Sequence, residues 1–169
     1  MTAGTVTVYF SEDASNLYVA FDMGFLPYAG SAVQVFVDTN YDRSSSPQTD
    51  DYRFTVREDG ARLENQGTGT GWQGISPSGS WSAATTTGIS GWQAEFSIQF
   101  SKLGVTAGTP RTIGLALCNA WTTGNYDYWW PGTADWEKPD TWGSLSSSSK
   151  WSNLIFNPVN AGILNIILE

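Results

Sequence analysis

Alternation of apolar and polar positions runs through most of this 169-residue chain and marks strands rather than helices. Val6, Val8 and Phe10 alternate with Thr7 and Tyr9. Leu17, Val19, Phe21 and Met23 make the next apolar face, followed by Val33, Val35 and Val37. In the next run Tyr52, Phe54 and Val56 point inward, with Arg53, Thr55 and Arg57 the other way. The cleanest pattern is 92–100, where Trp92, Ala94, Phe96, Ile98 and Phe100 alternate with Gln93, Glu95, Ser97 and Gln99. Ile113 to Cys118 is apolar on both faces, as a central strand would be. Turn-forming clusters at 12–16, 59–60, 88–91 and 107–110 separate the runs. No amphipathic helix is expected beyond one turn at Ser101–Gly104. The pattern predicts an all-β, antiparallel two-sheet sandwich of jelly-roll or immunoglobulin-like type. Residues 66–91, rich in Gly, Ser and Thr, read as a long hairpin or an ordered loop. The sandwich is expected over 1–145. Residues 146–169 would be a Ser-rich linker plus a terminal strand or the start of a neighbouring segment.

Composition narrows the function. Charged residues make up 14% of the chain and the net charge is −8, with only 8 Lys and Arg. No basic stripe can neutralise phosphates, so nucleic acid and anionic membranes are excluded as partners. No stretch reads as a membrane-inserting span. Surface polarity must come from Ser, Thr, Gly, Asn and Gln, which suits an extracellular or cell-surface setting and hydroxyl-rich partners. Met1-Thr2 and Leu168-Glu169 do not read as natural ends, so the chain is expected to be covalently linked to other domains of a larger parent.

The chain has no His and one cysteine, Cys118, in an apolar run where a buried thiol is expected. Ser-His-Asp and Cys-His catalysis is therefore closed to it. A glycosidase-like carboxylate pair such as Glu95 with Asp135 has no motif behind it, and the chain is expected not to be an enzyme. Haem ligation would fall to Met23, which lies on an apolar strand face. Against this, 9 Trp, 7 Tyr and 8 Phe favour a surface that stacks on something flat.

Asp38-Thr-Asn40-Tyr-Asp42, followed by Asp50-Asp51, gathers hard oxygen ligands in one connection between strands. Alternate spacing of Asp38, Asn40 and Asp42 lets three side chains converge, as calcium requires. An Asp/Asn-rich turn without metal is the other reading of the same residues.

Six stretches, in order, resemble the family 9 carbohydrate-binding modules and their wider CBM9-like, DOMON-like relatives. They are Asn16-Leu-Tyr-Val-Ala-Phe21, Pro27-Tyr28 running on to Asp38, Asp51-Tyr-Arg-Phe-Thr-Val56, Gly91-Trp92 to Phe100, Ile113 to Asn119, and Pro139-Asp-Thr-Trp-Gly-Ser-Leu145. The likeness covers roughly 5–145 and lacks the family's opening strand, which 151–168 or a neighbour could supply. The resemblance implies a non-catalytic module that targets a larger secreted protein to oligo- or polysaccharide, with structural calcium near its acidic loop. It maps two sugar-stacking aromatics to Tyr28 and Trp136, and polar ligand contacts to Gln34 and Arg53. Glu95 and Asn119 join that floor if their strands share its sheet, and Trp129 and Trp130 either extend the platform or pack beneath it. The alternative is a structural or assembly module with the same sandwich and no sugar site.

Overall fold

A computed structural model describes residues 6–106, 109–120, 128–147, 155–157 and 165–168. The strands are β1 (Val6–Glu12), β2 (Asn16–Met23), β3 (Ala32–Asp38), β4 (Asp51–Arg57), β5 (Arg62–Gly67), β6 (Trp72–Ile75), β7 (Trp81–Thr87), β8 (Trp92–Gln99), β9 (Arg111–Ala120), β10 (Tyr128–Trp130), β11 (Gly143–Ser147), β12 (Ile155–Asn157) and β13 (Asn165–Leu168). A single 3-10 turn, Pro139–Thr141, precedes β11. Among the described residues no helix is long and apolar enough to cross a membrane.

The strands form two sheets. One has five strands in the order β13-β1-β2-β8-β7. The other has eight, ordered β12-β11-β9-β3-β4-β5-β6, with β10 paired to β9. All the pairings are antiparallel except β13 with β1, where Thr7 to Phe10 run parallel to Asn165 to Leu168. The sequence-predicted two-sheet sandwich is what forms.

Each alternating run delivers one face to the space between the sheets. Val8, Leu17, Val19, Val33, Val35, Phe54, Phe96 and Leu115 are all fully buried there. Ser101–Gly104 is a turn rather than a helical segment, with the Leu103 amide donating to the Gln99 and Phe100 carbonyls. The segment 66–91 resolves into the end of β5, all of β6 and β7, and the turns between them. Ser146 and Ser147 continue β11 and pair with Thr112 and Arg111. The boundary expected at residue 145 therefore falls inside a strand.

Alternation also decides which residues face away from the core on the eight-stranded sheet. From β3 these are Gln34, Phe36 and Asp38, and from β4 Asp51, Arg53 and Thr55, since Phe36 pairs with Arg53 and Gln34 with Thr55. From β9 they are Gly114, Ala116, Cys118 and Ala120. These four small residues leave a trough along the outer face, and large rings from elsewhere fill it.

Candidate functional site

The trough holds a second apolar cluster separate from the main core: Phe36, Ala116, Cys118 and Trp142, with Trp72, Trp129 and Ala134 packed against it. Phe36 is its hub. Its ring centroid lies 5.2 Å from that of Trp129 and 5.6 Å from that of Trp142. Trp72 stacks on Trp142 at 6.3 Å with the planes 8° apart. A sheet face that turned only to water would have no cause to carry this much aromatic area. Here it forms a stiff base for groups above it.

Those groups are Arg53 and Trp136. The Arg53 guanidinium sits 5.6 Å from the Trp72 ring centroid and 5.5 Å from that of Trp136, so it lies against both indoles. Asn65, its cross-strand neighbour on β5, accepts from Arg53 Nε at 3.1 Å and Nη2 at 2.9 Å through one oxygen. Asn65 thereby fixes the plane of the fork and leaves Nη1 to face elsewhere. Desolvation by burial pulls the Arg53 pKa below its ordinary value. Trp136 is held by its backbone, because its carbonyl accepts from Trp72 Nε1 at 2.8 Å. Its side chain nevertheless remains 43% exposed. Two further bonds tie this loop to the base: Trp142 Nε1 donates to the Asp135 carbonyl at 2.8 Å, and the Asp135 amide donates to Thr141 Oγ1 at 2.9 Å.

Beside Arg53, the next outward row runs Cys118, Gln34, Thr55 and Leu63 across four strands. Gln34 is half-buried and Leu63 is 53% exposed. Tyr28, 47% exposed, lies in the loop that leads into β3 at the Ala32–Gln34 end. That loop is closed by the Ser31 amide donating to the Tyr28 carbonyl and by the Tyr28 amide donating to Ser31 Oγ. Both aromatics marked by the sequence are thus open to solvent, and Gln34 and Arg53 lie on the face that Trp136 overhangs.

The acidic connection 39–50 covers the far end of the same face. Asp38 and Asp51 are cross-strand partners, both fully buried, and their oxygens lie within 4.8 Å of one another and of a carboxylate oxygen of Asp50. Gly114 makes this possible, because a Cβ there would sit 2.8 Å from Asp38 Cβ. Asp38 accepts from the Tyr41 amide at 2.6 Å and the Arg43 amide at 3.0 Å. Those two residues have φ of 57° and 53°, a left-handed conformation costly for side chains of their size. Asp51 Oδ2 accepts from the Gln48 amide at 2.7 Å, while Oδ1 is buried with no hydrogen-bond partner.

Burial pushes the Asp51 pKa up to about 8, against the Gln48 amide and with the carboxylates of Asp38, Asp50 and Asp42 adding to the rise. Burial likewise raises Asp38. Hard oxygens, an orphaned buried lone pair and no nitrogen or sulfur donor fit calcium. In metal-free protein, a raised carboxyl pKa favours the folded state only while its proton is held. Stability should therefore fall as pH rises from about 4, the unfolded Asp value, towards about 8. Denaturant titrations in EGTA across that range check it, and a flat profile would contradict it.

No family model matches the chain. Among solved structures it superposes on a family 9 carbohydrate-binding module from Caldicellulosiruptor kristjanssonii in complex with glucose. The TM-score is 0.64 at 18% identity, covering 85% of this chain and 76% of that one. The chain has the fold of a family 9 carbohydrate-binding module. A module of the same family and organism in complex with cellotriose gives a TM-score of 0.61, also at 18% identity, over 88% of this chain and 78% of that one. In sequence, 57 residues are 39% identical to part of endo-1,4-beta-xylanase A of Thermoanaerobacterium saccharolyticum. That match spans 33% of this chain and 5% of the xylanase.

Against this family 9 fold, several sequence expectations need correction. Glu95 is on β8, in the five-stranded sheet, with Ala20 and Ala84 as partners. It borders a shallow depression of about 390 Å³ on the opposite side of the sandwich, with Tyr9, Asp22 and Gln93. Its outward direction was legible, but alternation does not say which sheet a strand joins. The same placement separates Glu95 from Asp135, so the carboxylate pair does not exist. Asn119 pairs with Val33, whose side chain faces the core, and is itself buried on that side. Trp130 pairs with core-facing Leu117 and is 2% exposed in the main core, whereas Trp129 pairs with Cys118 on the platform side.

Asp42 lies outside the cluster that Asp38, Asp50 and Asp51 form, although its charge bears on both Asp38 and Asp51. Asn40 Nδ2 donates to Asp42, the Asp42 amide donates to Asn40 Oδ1, and the Ser44 amide donates to Asp42 Oδ1. The left-handed Tyr41 between them breaks the extended backbone on which alternate spacing depends. Trp121 and Tyr126, which precede Trp129 and Trp130 in an aromatic-rich stretch of the sequence, lie outside the described residues. Trp72, Asn65 and Trp142 were missed. Their partners are long-range, and only the Pro139–Leu145 motif, which contains Trp142, carried a signal.

Proposed function

We propose that this chain is a non-catalytic carbohydrate-binding module, calcium-stabilised and carried by a larger extracellular protein that it targets to polysaccharide. The observation that carries this reading is Trp136, held half-exposed above an arginine whose guanidinium is fixed by Asn65. A pyranose has apolar C–H faces and a polar rim. An indole covers the face while a fork of N–H donors meets the rim hydroxyls. Covering one face of about 80–100 Å² contributes roughly 2 kcal/mol. The cost of association offsets most of what two faces and a few hydrogen bonds supply, giving affinities of about millimolar to micromolar. Tyr28, Gln34 and Trp129 complete the site in this reading. The relatives support it: the two solved neighbours are complexes with glucose and cellotriose, and the partial match is to a xylanase.

Calorimetric titration with glucose, cellotriose and xylo- and malto-oligosaccharides tests the reading. Heat that saturates with at least one neutral sugar is expected. Silence across the set would leave an assembly sandwich without a sugar site.

For calcium, Asp38, Asp50 and Asp51 would hold the ion, and its charge would supply what three clustered carboxylates lack. At a hundred times its dissociation constant, calcium should stabilise the fold by about 2.7 kcal/mol. That is a rise of roughly 5–10 °C in melting midpoint for a chain of this size. Asp51→Asn should remove the rise, and a midpoint indifferent to calcium and EGTA would dismiss the metal.

A further inference from the structure

The acidic loop is joined to both supports of Trp136. On one side, Arg43 Nη2 donates to the Asp140 carbonyl at 2.6 Å and the Asp140 amide donates to the Ser44 carbonyl at 3.1 Å. Asp140 belongs to the 3-10 turn that closes the Trp136 loop, in which Thr141 Oγ1 bonds both Lys138 and Asp135. On the other side, the Gly69 amide donates to the Pro47 carbonyl at 2.7 Å and Ser46 Oγ donates to the Gly69 carbonyl at 2.7 Å. The turn at 68–71 leads into Trp72, whose indole N–H holds the Trp136 carbonyl. Contact along this second route is close, because a Cβ on Gly67 would meet the Gln48 carbonyl at 2.1 Å.

We infer that cation occupancy at Asp38, Asp50 and Asp51 sets the sugar affinity of the platform, through the bonds that link loop 39–50 to Asp140 and to Gly69. This inference rests on the sugar-binding reading above. The loop is the element with two states. Without a cation, three clustered carboxylates repel one another or take up protons, and Asp51 Oδ1 has nothing to bind. The Asp38 carboxylate, which accepts from both the Tyr41 and Arg43 amides, then holds that left-handed pair without an ion to fix it. With a cation the three carboxylates share one centre, and the loop is held in the arrangement that presents Arg43, Ser44 and Pro47 to their partners. Trp136 then meets the sugar already placed, so less ordering is charged to binding. Global stabilisation alone would not change the affinity of a chain that is already folded.

Cellotriose is titrated into the protein in calcium and in EGTA, well below the melting midpoint of either sample. A fall in affinity of about tenfold without calcium is expected. By linkage, saturating cellotriose should tighten calcium by the same factor. Arg43→Ala leaves the carboxylates and sugar-facing groups in place. It should keep the calcium-dependent rise in melting midpoint while losing the part of the calcium dependence of cellotriose binding that runs through Asp140. Equal cellotriose affinity in calcium and EGTA, alongside a calcium-raised midpoint, would overturn the coupling and leave the sugar reading standing. If calcium leaves the midpoint unmoved, the coupling falls with the metal. If neither cellotriose nor any other neutral sugar binds in calcium, it falls together with the sugar reading.

Discussion

Trp136→Ala should reduce the affinity for a bound oligosaccharide by about thirtyfold or more, enough to carry a millimolar interaction beyond calorimetric detection. The factor is the roughly 2 kcal/mol of apolar area that one covered sugar face contributes, converted at 1.4 kcal/mol per decade. The true loss should be larger, because the same indole lies against Arg53 and shields the guanidinium from water. The loop itself should survive, since it is the Trp136 carbonyl, not its ring, that accepts from Trp72. A near-normal melting midpoint together with lost binding is the expected pair of results. Unchanged affinity in the alanine variant would remove Trp136 from the site.

The second large effect separates two adjacent tryptophans. Trp130→Ala should cost about 3–5 kcal/mol of stability, as for a large aromatic truncated in a packed interior. For a chain of this length that is roughly 6–20 °C in melting midpoint. Little relaxation can fill the space, because the Trp130 ring packs so closely on Gly143 that a Cβ there would approach it to 2.6 Å. Trp129→Ala should do the reverse, moving the midpoint little and weakening sugar binding through loss of the ring against Phe36. Thermal melts and titrations on both variants read the register of β10 directly. If Trp129 proved the more destabilising substitution, the assignment of faces would be inverted.

These two residues also show how far the sequence could be read. Strands β1, β2, β4 and β8 announced themselves because one face of each is apolar and the other polar. A slip of one residue would bury Arg53 or expose Phe54. Strand β9 gave no such cue, being apolar on both faces, one towards the core and the other beneath Phe36 and Trp142. Position 119 shares parity with Ile113, Leu115 and Leu117, so a count along the strand places it inward, and that signal was present but outweighed by its polar character. For Trp129 and Trp130 parity says only that they oppose each other. Glu95 failed for a topological reason: β8 joins β2 and β7, and pairing between distant strands is not written in local alternation. Asn65 and Trp72 lay in a stretch without periodic pattern, and only their contacts with Arg53 reveal them. The acidic loop was legible as chemistry, yet its geometry depended on two left-handed residues that spacing does not foretell.

The row Cys118–Gln34–Thr55–Leu63 has one further consequence. Each member is interleaved with an inward neighbour, such as Val33, Val35 or Phe54, that anchors the interior without help from the outward side chains. Substitutions at positions 34 and 63 should therefore reshape the outer face while the scaffold's folding equilibrium hardly registers the change.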